Sequence, residues 1–314
     1  MSRYRELCVN LRQLVTSMEN PRAAAHALLR FAAWQTWRRT IRRPVTVTLY
    51  TGGRLSCPPW SRTASPLVTS GTTEPRDQTL VTRLMRRGDV FIDVGANIGL
   101  YSVVAGMAGA TVVSFEPSTD AAAILDANVR LNRLESRTFV RRHALGAANG
   151  LVSFTSGLDV LNHVVDDGAV LPPSSVSVPM RRLDSLFEEV AAPRPVGGKG
   201  IVVLKVDVEG YELEVLRGAE NVLRCVRPIV LIETISESNA VMAHLRARGY
   251  VPFTYDIATN ALHPLPDGRY TRPNTLVLPR AAIPAIQLRL DDAVEMSPAA
   301  CGKPPSIRWR KATV

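Results

Sequence analysis

Apolar residues recur along this chain with two different periods. Short runs rich in Val and Ile, Val90–Val94, Thr111–Phe115, Thr138–Arg142, Ile201–Val206 and Ile229–Ile232, predict strands. The unbroken Ile201-Val202-Val203-Leu204 suits a strand buried on both faces, as in a parallel sheet. Between the runs, Ala121–Leu131, Leu213–Leu223 and Ala240–Arg248 space their apolar residues as helices do. Leu80, Val81, Leu84 and Met85 mark one face of an earlier helix, with Asp77 as its N-cap and Gly88 as its stop. Val251–Tyr255 and Asn274–Leu278, separated by Pro264, Pro266 and Gly268, predict a closing hairpin that puts one antiparallel strand into the sheet. Strand and helix alternating in this way predict a doubly wound α/β fold.

The flanks read differently. Residues 20–43 predict a helix: Asn20 can cap it, Pro21 suits its first turn, and Leu28, Phe31, Ala32 and Trp34 give it an apolar side. Arg38, Arg39, Arg42 and Arg43 favour its C-terminal end. Val45, Val47 and Leu49 then alternate with Thr46, Thr48 and Tyr50 before Gly52-Gly53, a hairpin signal. Pro58 to Pro75 is rich in Ser, Thr and Pro and predicts a loop. Past Pro284 the pattern fades, and Pro298–Val314 reads as a flexible tail. Four segments follow: a basic helical arm at 1–44, a hairpin and loop at 45–76, the sheet domain at 77–282, and a flexible basic tail at 283–314.

Composition narrows the classes. With 314 residues, 46% of them hydrophobic, the chain can bury a sizeable core, which excludes global disorder. Cys8, Cys57, Cys225 and Cys301 lie far apart with no CxxC pair, which excludes a disulfide-stapled scaffold or a cysteine zinc site and suits a cytoplasmic protein. The net charge of +10 sits at the ends: nine Arg against Glu6 and Glu19 before residue 44, and Lys303, Arg308, Arg310 and Lys311 with no acid after residue 297. The body between them is close to neutral, so no basic channel for nucleic acid is expected. Val94 to Phe115 carries no charge and is long enough to span a bilayer. Its Asn97, Ser102, Thr111, Ser114 and four glycines divide it into a turn, a helix and a strand, so no transmembrane segment is predicted. No pattern sets an oligomeric state.

Three clusters carry chemistry. Asp93-Val94-Gly95-Ala96-Asn97-Ile98-Gly99 follows a strand and opens a helix, where glycines let a ligand approach the backbone and helix N–H groups can face it. Its glycine spacing is not the dinucleotide fingerprint GxGxxG, so no pyrophosphate is implied. Asp93 beside the turn suits a ligand with a cationic end. Glu116 ends the next strand, where a carboxylate can accept hydrogen bonds from both hydroxyls of a ribose. Asp93, Gly95, Gly99 and Glu116 together fit an adenosyl ligand with an amino-acid tail and no phosphate, S-adenosylmethionine. The third cluster, Lys205-Val206-Asp207-Val208-Glu209-Gly210-Tyr211-Glu212, ends the Ile201–Val206 strand. Asp207 and Glu209 stand at alternate positions and point into a shared region. Such a pair can act as general base, orient an acceptor or hold a divalent cation, and no metal site is predicted. Glu212 suits the first turn of the following helix.

With Arg87-Gly88-Asp89-Val90-Phe91-Ile92 preceding the first cluster, Phe115-Glu116-Pro117, the Lys205–Glu212 run, Val215-Leu216-Arg217-Gly218-Ala219-Glu220, Ile232-Glu233 and Asn274-Thr275-Leu276, the chain resembles the FkbM-type S-adenosylmethionine-dependent methyltransferases. The resemblance spans roughly residues 77–280 and implies a Rossmann-like, doubly wound, mostly parallel seven-stranded sheet with one antiparallel strand. It implies a cofactor site at Asp93, Gly95, Asn97, Gly99, Glu116, Pro117 and Asp207. It also implies methyl transfer to a hydroxyl of a small molecule: a sugar, polyketide or other secondary metabolite. Candidate bases are Asp207 and Glu209, with His163 and Glu233 weaker. Pro172–Val178 and Ala191–Gly200 stand where a short loop is usual, and residues 1–76 and 281–314 resemble nothing in the family.

Nucleic-acid methylation is the alternative that the basic ends suggest. Asp207-Val208-Glu209-Gly210 stands where an amino-methylating enzyme carries an Asp or Asn followed by Pro-Pro and an aromatic residue. A nicotinamide oxidoreductase lacks its glycine pattern. An adenosyl-binding protein without catalysis shares the same cofactor site.

Overall fold

The computed structural model of the chain describes residues 21–61, 63–155, 164, 175–186, 200–234, 238–266, 268–270, 274–295 and 307–308. These fall into two compact units, one within residues 1–73 and 301–314 and one within 74–300.

In the first unit, helix α1 (Pro21–Thr40) precedes an antiparallel hairpin of β1 (Val45–Thr48) and β2 (Arg54–Cys57), as the alternation predicts. Trp34 of α1 is buried and donates its indole N–H to Ser65 Oγ at 3.0 Å. Ser65 belongs to helix α2 (Ala64–Ser70), inside the stretch expected as a loop. The helix forms there because Ala64, Leu67 and Val68 share one buried face and Gly71 caps its end. Near the C-terminus, Ile307–Arg308 pairs antiparallel with β1 within the segment expected as a tail. A two-residue pairing has no sequence period to betray it.

The second unit is built on an eight-stranded sheet. Its strands are β3 (Val90–Val94), β4 (Thr111–Phe115), β5 (Thr138–Arg141), β9 (Val202–Val206), β10 (Ile229–Glu233), β11 (Tyr250–Asp256), β12 (Ala261–Pro264) and β13 (Asn274–Pro279), in the order β12-β11-β13-β10-β9-β3-β4-β5. The five strands from β5 to β10 run parallel, and β13 enters antiparallel between β10 and β11. This is the expected α/β, Rossmann-like, doubly wound sheet. It carries one strand more than expected, because β12 adds antiparallel to the edge of β11. Pro264 is tolerated there because an edge strand needs no donor on its outer side.

Helices α3 (Pro75–Leu84), α4 (Leu100–Met107), α5 (Thr119–Leu131), α6 (Glu212–Arg217) and α7 (Ser238–Arg246) connect the strands. Asp77 lies inside α3 rather than at its cap, since Pro75 already occupies the first turn. The helix expected over Leu213–Leu223 ends at Arg217 with Gly218 as its cap, where a side chain would meet the Gly146 carbonyl at 2.0 Å, and a wider π-helical turn follows over Val222–Val226. A small sheet, β6-β8-β7, lies between β5 and β9, formed by Ala144–Leu145 (β6), Gly150–Thr155 (β7) and Ser175–Arg181 (β8). Ser175–Val178, expected in a loop, therefore belongs to a strand, and its Val176 and Val178 alternate with Ser175 and Ser177.

The tail expected after residue 282 begins instead as helix α8 (Ile283–Glu295). Ile286 and Leu290 bury one face of it, and Pro284 sits in its first turn, where a missing N–H costs nothing. Asp89 ties α8 to β3: its carboxylate accepts from Arg86 N at 2.6 Å and Ile201 N at 3.0 Å, and pairs with Arg289 of α8.

The two faces of the sheet differ in chemistry. Val90, Ile92, Val94, Leu204, Val206, Val230 and Ile232 pack into an apolar core with Val215 and Leu216 of α6 and Val241, Met242 and Leu245 of α7. The alternate positions carry polar groups in register. Asp93 stands beside Ser114 on β4 and Lys205 on β9, and Glu233 stands beside Asn274 on β13. Helix α4 lays Tyr101 and Ser102 over this second face: Tyr101 stacks on Phe91, and Ser102 bonds to Asp93.

Candidate active site

The turn after β3 is held by protein groups on every side. Gly95 has φ +78°, and a side chain there would meet the Asp207 carbonyl at 1.8 Å. Glycine is therefore required by the close passage of two strand ends as well as by any ligand. The N–H groups of the turn are also taken. Gly95 and Ala96 donate to the Phe115 carbonyl at 3.0 and 3.1 Å, Asn97 to Glu116 Oε2 at 2.8 Å, and Ile98 to Asn97 Oδ1 at 2.7 Å. Gly99 donates to the Ala96 carbonyl at 2.9 Å. The expectation that the turn presents free N–H donors does not hold for residues 95–99. Asn128, buried on α5, braces the turn by donating to the Ile98 carbonyl at 2.8 Å.

Asp93 is buried at the end of β3. Ser102 Oγ donates to its Oδ2 at 2.6 Å and is in turn 2.8 Å from Ser114 Oγ. Its Oδ1 is buried without a hydrogen-bond partner among the described residues. Burial pushes the Asp93 carboxyl above its ordinary range, and Lys205 and Ser102 work against that.

Glu116, only 6% exposed, receives Asn97 N–H on one oxygen and Ser118 N–H on the other, both at 2.8 Å. The carboxylate thus joins the glycine turn to the start of α5. Pro117, half-buried, separates Glu116 from Ser118, whose Oγ caps α5 by accepting from Ala121 N at 3.4 Å.

At the end of β9, Lys205 Nζ donates to Asp207 Oδ2 at 2.8 Å. The chain then turns through Glu209 and Gly210, both left-handed at φ +55° and +103°. Glu212, at the start of α6, holds this turn by accepting from Val208 N at 3.2 Å and Gly210 N at 3.0 Å. It thus serves the loop before the helix as well as the helix terminus.

Glu233, from the neighbouring strand β10, completes the cluster: Asp207, Glu209 and Glu233 each offer a carboxylate oxygen within 4.8 Å of the others. Three carboxylates so close either share a proton or surround a hard cation, and an all-oxygen set suits a divalent ion of the calcium or magnesium type. Burial first, then the charges of Asp207, Glu209 and Glu212 and a hydrogen bond with Asp207, push the Glu233 carboxyl up to about 9. Such an upward shift favours one proton held among the three carboxylates.

The sign for stability follows. A carboxyl raised from 4.5 to about 9 by folding contributes stability that is complete below pH 4.5 and is lost as pH rises toward 9. Glu233→Gln has no such proton to lose. Its melting temperature is expected to gain on the wild type progressively from pH 5 to pH 9, by about 5 °C at the upper end. A pH series of thermal unfolding checks this, and a constant offset between the two proteins would contradict it.

The structure brings Asp93, Gly95, Asn97, Gly99, Glu116, Pro117, Asp207, Glu209 and Glu233 to the carboxyl edge of the parallel strands β3, β4, β9 and β10. His163 lies outside the described residues. Sequence reading passed over Glu74 and Tyr101, and took Asn274 only as the start of a strand. Tyr101 OH donates to the Glu74 carboxylate, and Asn274 Nδ2 donates to Glu74 Oε2 and to Asp77 Oδ2, both at 3.1 Å. Tyr101 looks like one more apolar helix position, and Asn274 lies 200 residues from Glu74, so no local pattern joins them.

Among the described residues no helix is long and apolar enough to cross a membrane. A hexuronic acid methyltransferase of Haloferax volcanii, AglP, is 32% identical over 145 residues, which are 46% of this chain and 55% of that protein. The chain thus spans about half the length of the curated relative it matches. Among solved structures, an FkbM methyltransferase from Methylobacillus flagellatus is similar with a TM-score of 0.40 and 15% identity, over 81% of this chain and 60% of that one. The C-terminal domain of a precorrin-6Y C5,15-methyltransferase from Rhodobacter capsulatus is similar with a TM-score of 0.35 and 15% identity, over 66% and 88%. Residues 93–252, from Asp93 at the end of β3 into β11, match the methyltransferase FkbM domain, and the chain belongs to that family.

Proposed function

We propose that this protein transfers a methyl group from S-adenosylmethionine to a hydroxyl oxygen of a small-molecule acceptor, a sugar or a secondary metabolite. When bound, the cofactor supplies an electrophilic sulfonium methyl group.

The residues fit such a ligand. The buried Oδ1 of Asp93, without a hydrogen-bond partner among the described residues, suits an amino group. Glu116 accepts the Asn97 and Ser118 N–H groups at the end of β4, where a carboxylate can also accept from ribose hydroxyls. Asp207, Asn97 and Pro117 border the same strand ends and complete the cofactor residues.

The observation that carries the hydroxyl acceptor is the group of carboxylates at the same edge, Asp207, Glu209 and Glu233. An aliphatic hydroxyl is a poor nucleophile, and a carboxylate within reach of its proton assists by about 10²–10⁴-fold. Asp207 and Glu209 are the bases in this reading, since Glu233 is the carboxyl pushed upward. The carboxylates of Asp207 and Glu209 repel an acceptor that is itself a carboxylate.

Label transfer tests the reading. The protein is incubated with methyl-labelled S-adenosylmethionine and a panel of neutral glycosides and hexuronic acids. The expected label survives mild alkali, as an ether on a hydroxyl does. Label lost to alkali, as from a methyl ester, or no transfer to any small molecule, would overturn it.

A further inference from the structure

Lys205 has no role in the reaction as described so far, and its position is costly. It lies on the central strand β9 with its side chain 2% exposed. Val203, two residues earlier on the same face, shows what such a position ordinarily takes. An ammonium buried at this depth loses several kcal/mol of hydration unless other groups meet its charge.

The groups that meet it lead to the carboxyl edge. Nζ donates to Asp207 Oδ2 at 2.8 Å and stands 4.7 Å from the centre of the Tyr101 ring. That ring is itself fixed, stacked on Phe91 and bonded through its hydroxyl to Glu74. Asp93 and Glu74 add their charges, so the ammonium is hemmed in by α3, α4, β3 and the end of its own strand. It has one direct acceptor among the described residues, Asp207.

Asp207 differs from Lys205 in being 28% exposed, at a strand end where a carboxylate is otherwise free to turn toward water. A rigid, buried donor on Oδ2 removes that freedom and fixes the direction in which the carboxylate faces. We infer that Lys205 is a positioning residue, which aims the Asp207 carboxylate at the cofactor subsite through the Nζ–Oδ2 bond. The inference rests on the proposal that Asp207 borders the cofactor.

A double-mutant cycle on affinity, without turnover, tests it. S-Adenosylhomocysteine is titrated calorimetrically into the wild type, Lys205→Met, Asp207→Asn and the double variant. Each single change is expected to weaken binding about tenfold, and the double variant to bind within twofold of Asp207→Asn, because Lys205 has nothing left to aim. Full affinity in Lys205→Met, full affinity in Asp207→Asn, or losses that multiply in the double variant would each overturn the inference. A wild type that does not bind the nucleoside defeats the proposed function itself, a different outcome from a wild type that binds without coupling.

Removing a buried cation can prevent folding, so a measurement on the wild type stands beside the cycle. The chain has four lysines, Lys199, Lys205, Lys303 and Lys311, so a lysine-labelled sample gives at most four ammonium resonances. The slowly exchanging resonance of the buried ammonium is expected to shift when S-adenosylhomocysteine is added. A resonance unmoved at saturation would overturn the inference.

Discussion

Gly95→Ala is expected to cost about 3 kcal/mol or more of stability and to abolish binding of the adenosyl cofactor. Two independent terms add. The residue has φ +78°, where an L side chain costs roughly 1–2 kcal/mol. The added Cβ would also stand 1.8 Å from the Asp207 carbonyl oxygen, a backbone atom that no rotamer change can move aside. Overpacking of this kind costs roughly 1–3 kcal/mol. Relief requires the β3 turn and the β9 end to separate, yet Asp207 N is bonded to the Val94 carbonyl at 3.1 Å, immediately before the glycine. A melting temperature lower by about 6–12 °C is the readout for a unit of this size. An Ala variant as stable as the wild type would show that the two strand ends can part freely, and the site built on their contact would lose its basis.

Glu116→Ala is expected to lower S-adenosylhomocysteine affinity by about two orders of magnitude and to destabilise the protein as well. The carboxylate terminates two backbone N–H groups, those of Asn97 and Ser118. A buried donor left without its acceptor costs roughly 1–3 kcal/mol. Structural and binding roles therefore overlap in this residue, and one substitution cannot separate them. Glu116→Gln can: its amide oxygen still accepts from one N–H, while its NH₂ replaces the second acceptor. Stability should recover in part, with affinity still low. Calorimetry and thermal unfolding on both variants check this pair of results. Were Glu116→Ala to bind the nucleoside as tightly as the wild type, the ribose contact would be excluded and only the bracing of the turn would remain.

The sheet was legible because its signals are local. The five parallel strands were read within a residue or two, since each is an apolar run closed by a turn or a helix cap, and burial on both faces admits few other residue types. The charged residues at the strand ends were legible for a related reason. Asp93, Glu116, Asp207 and Glu233 each interrupt or end an apolar run, and the doubly wound topology places all such ends on one edge. Helix α2 and strand β8 escaped because Pro and Ser mask their apolar faces, helix α8 because of Pro284, and those faces are recognisable only against the surfaces they cover. Prolines in a first helical turn or along a short strand look in sequence like the breakers they are elsewhere.

The sequence by itself determined the α/β class, the positions of the parallel strands along the chain and the edge on which the acids lie, because hydrophobic period and strand-end chemistry depend on neighbours a few positions away. Only the tertiary structure decided what those acids do for one another. The Glu116 carboxylate turned out to brace the glycine turn, Asp207 to be pinned by Lys205, and Glu233 to stand within 4.8 Å of two further carboxylates. Each of these depends on distances of 3–5 Å between different strands and on how far water is excluded, and neither is encoded in the spacing along any one strand.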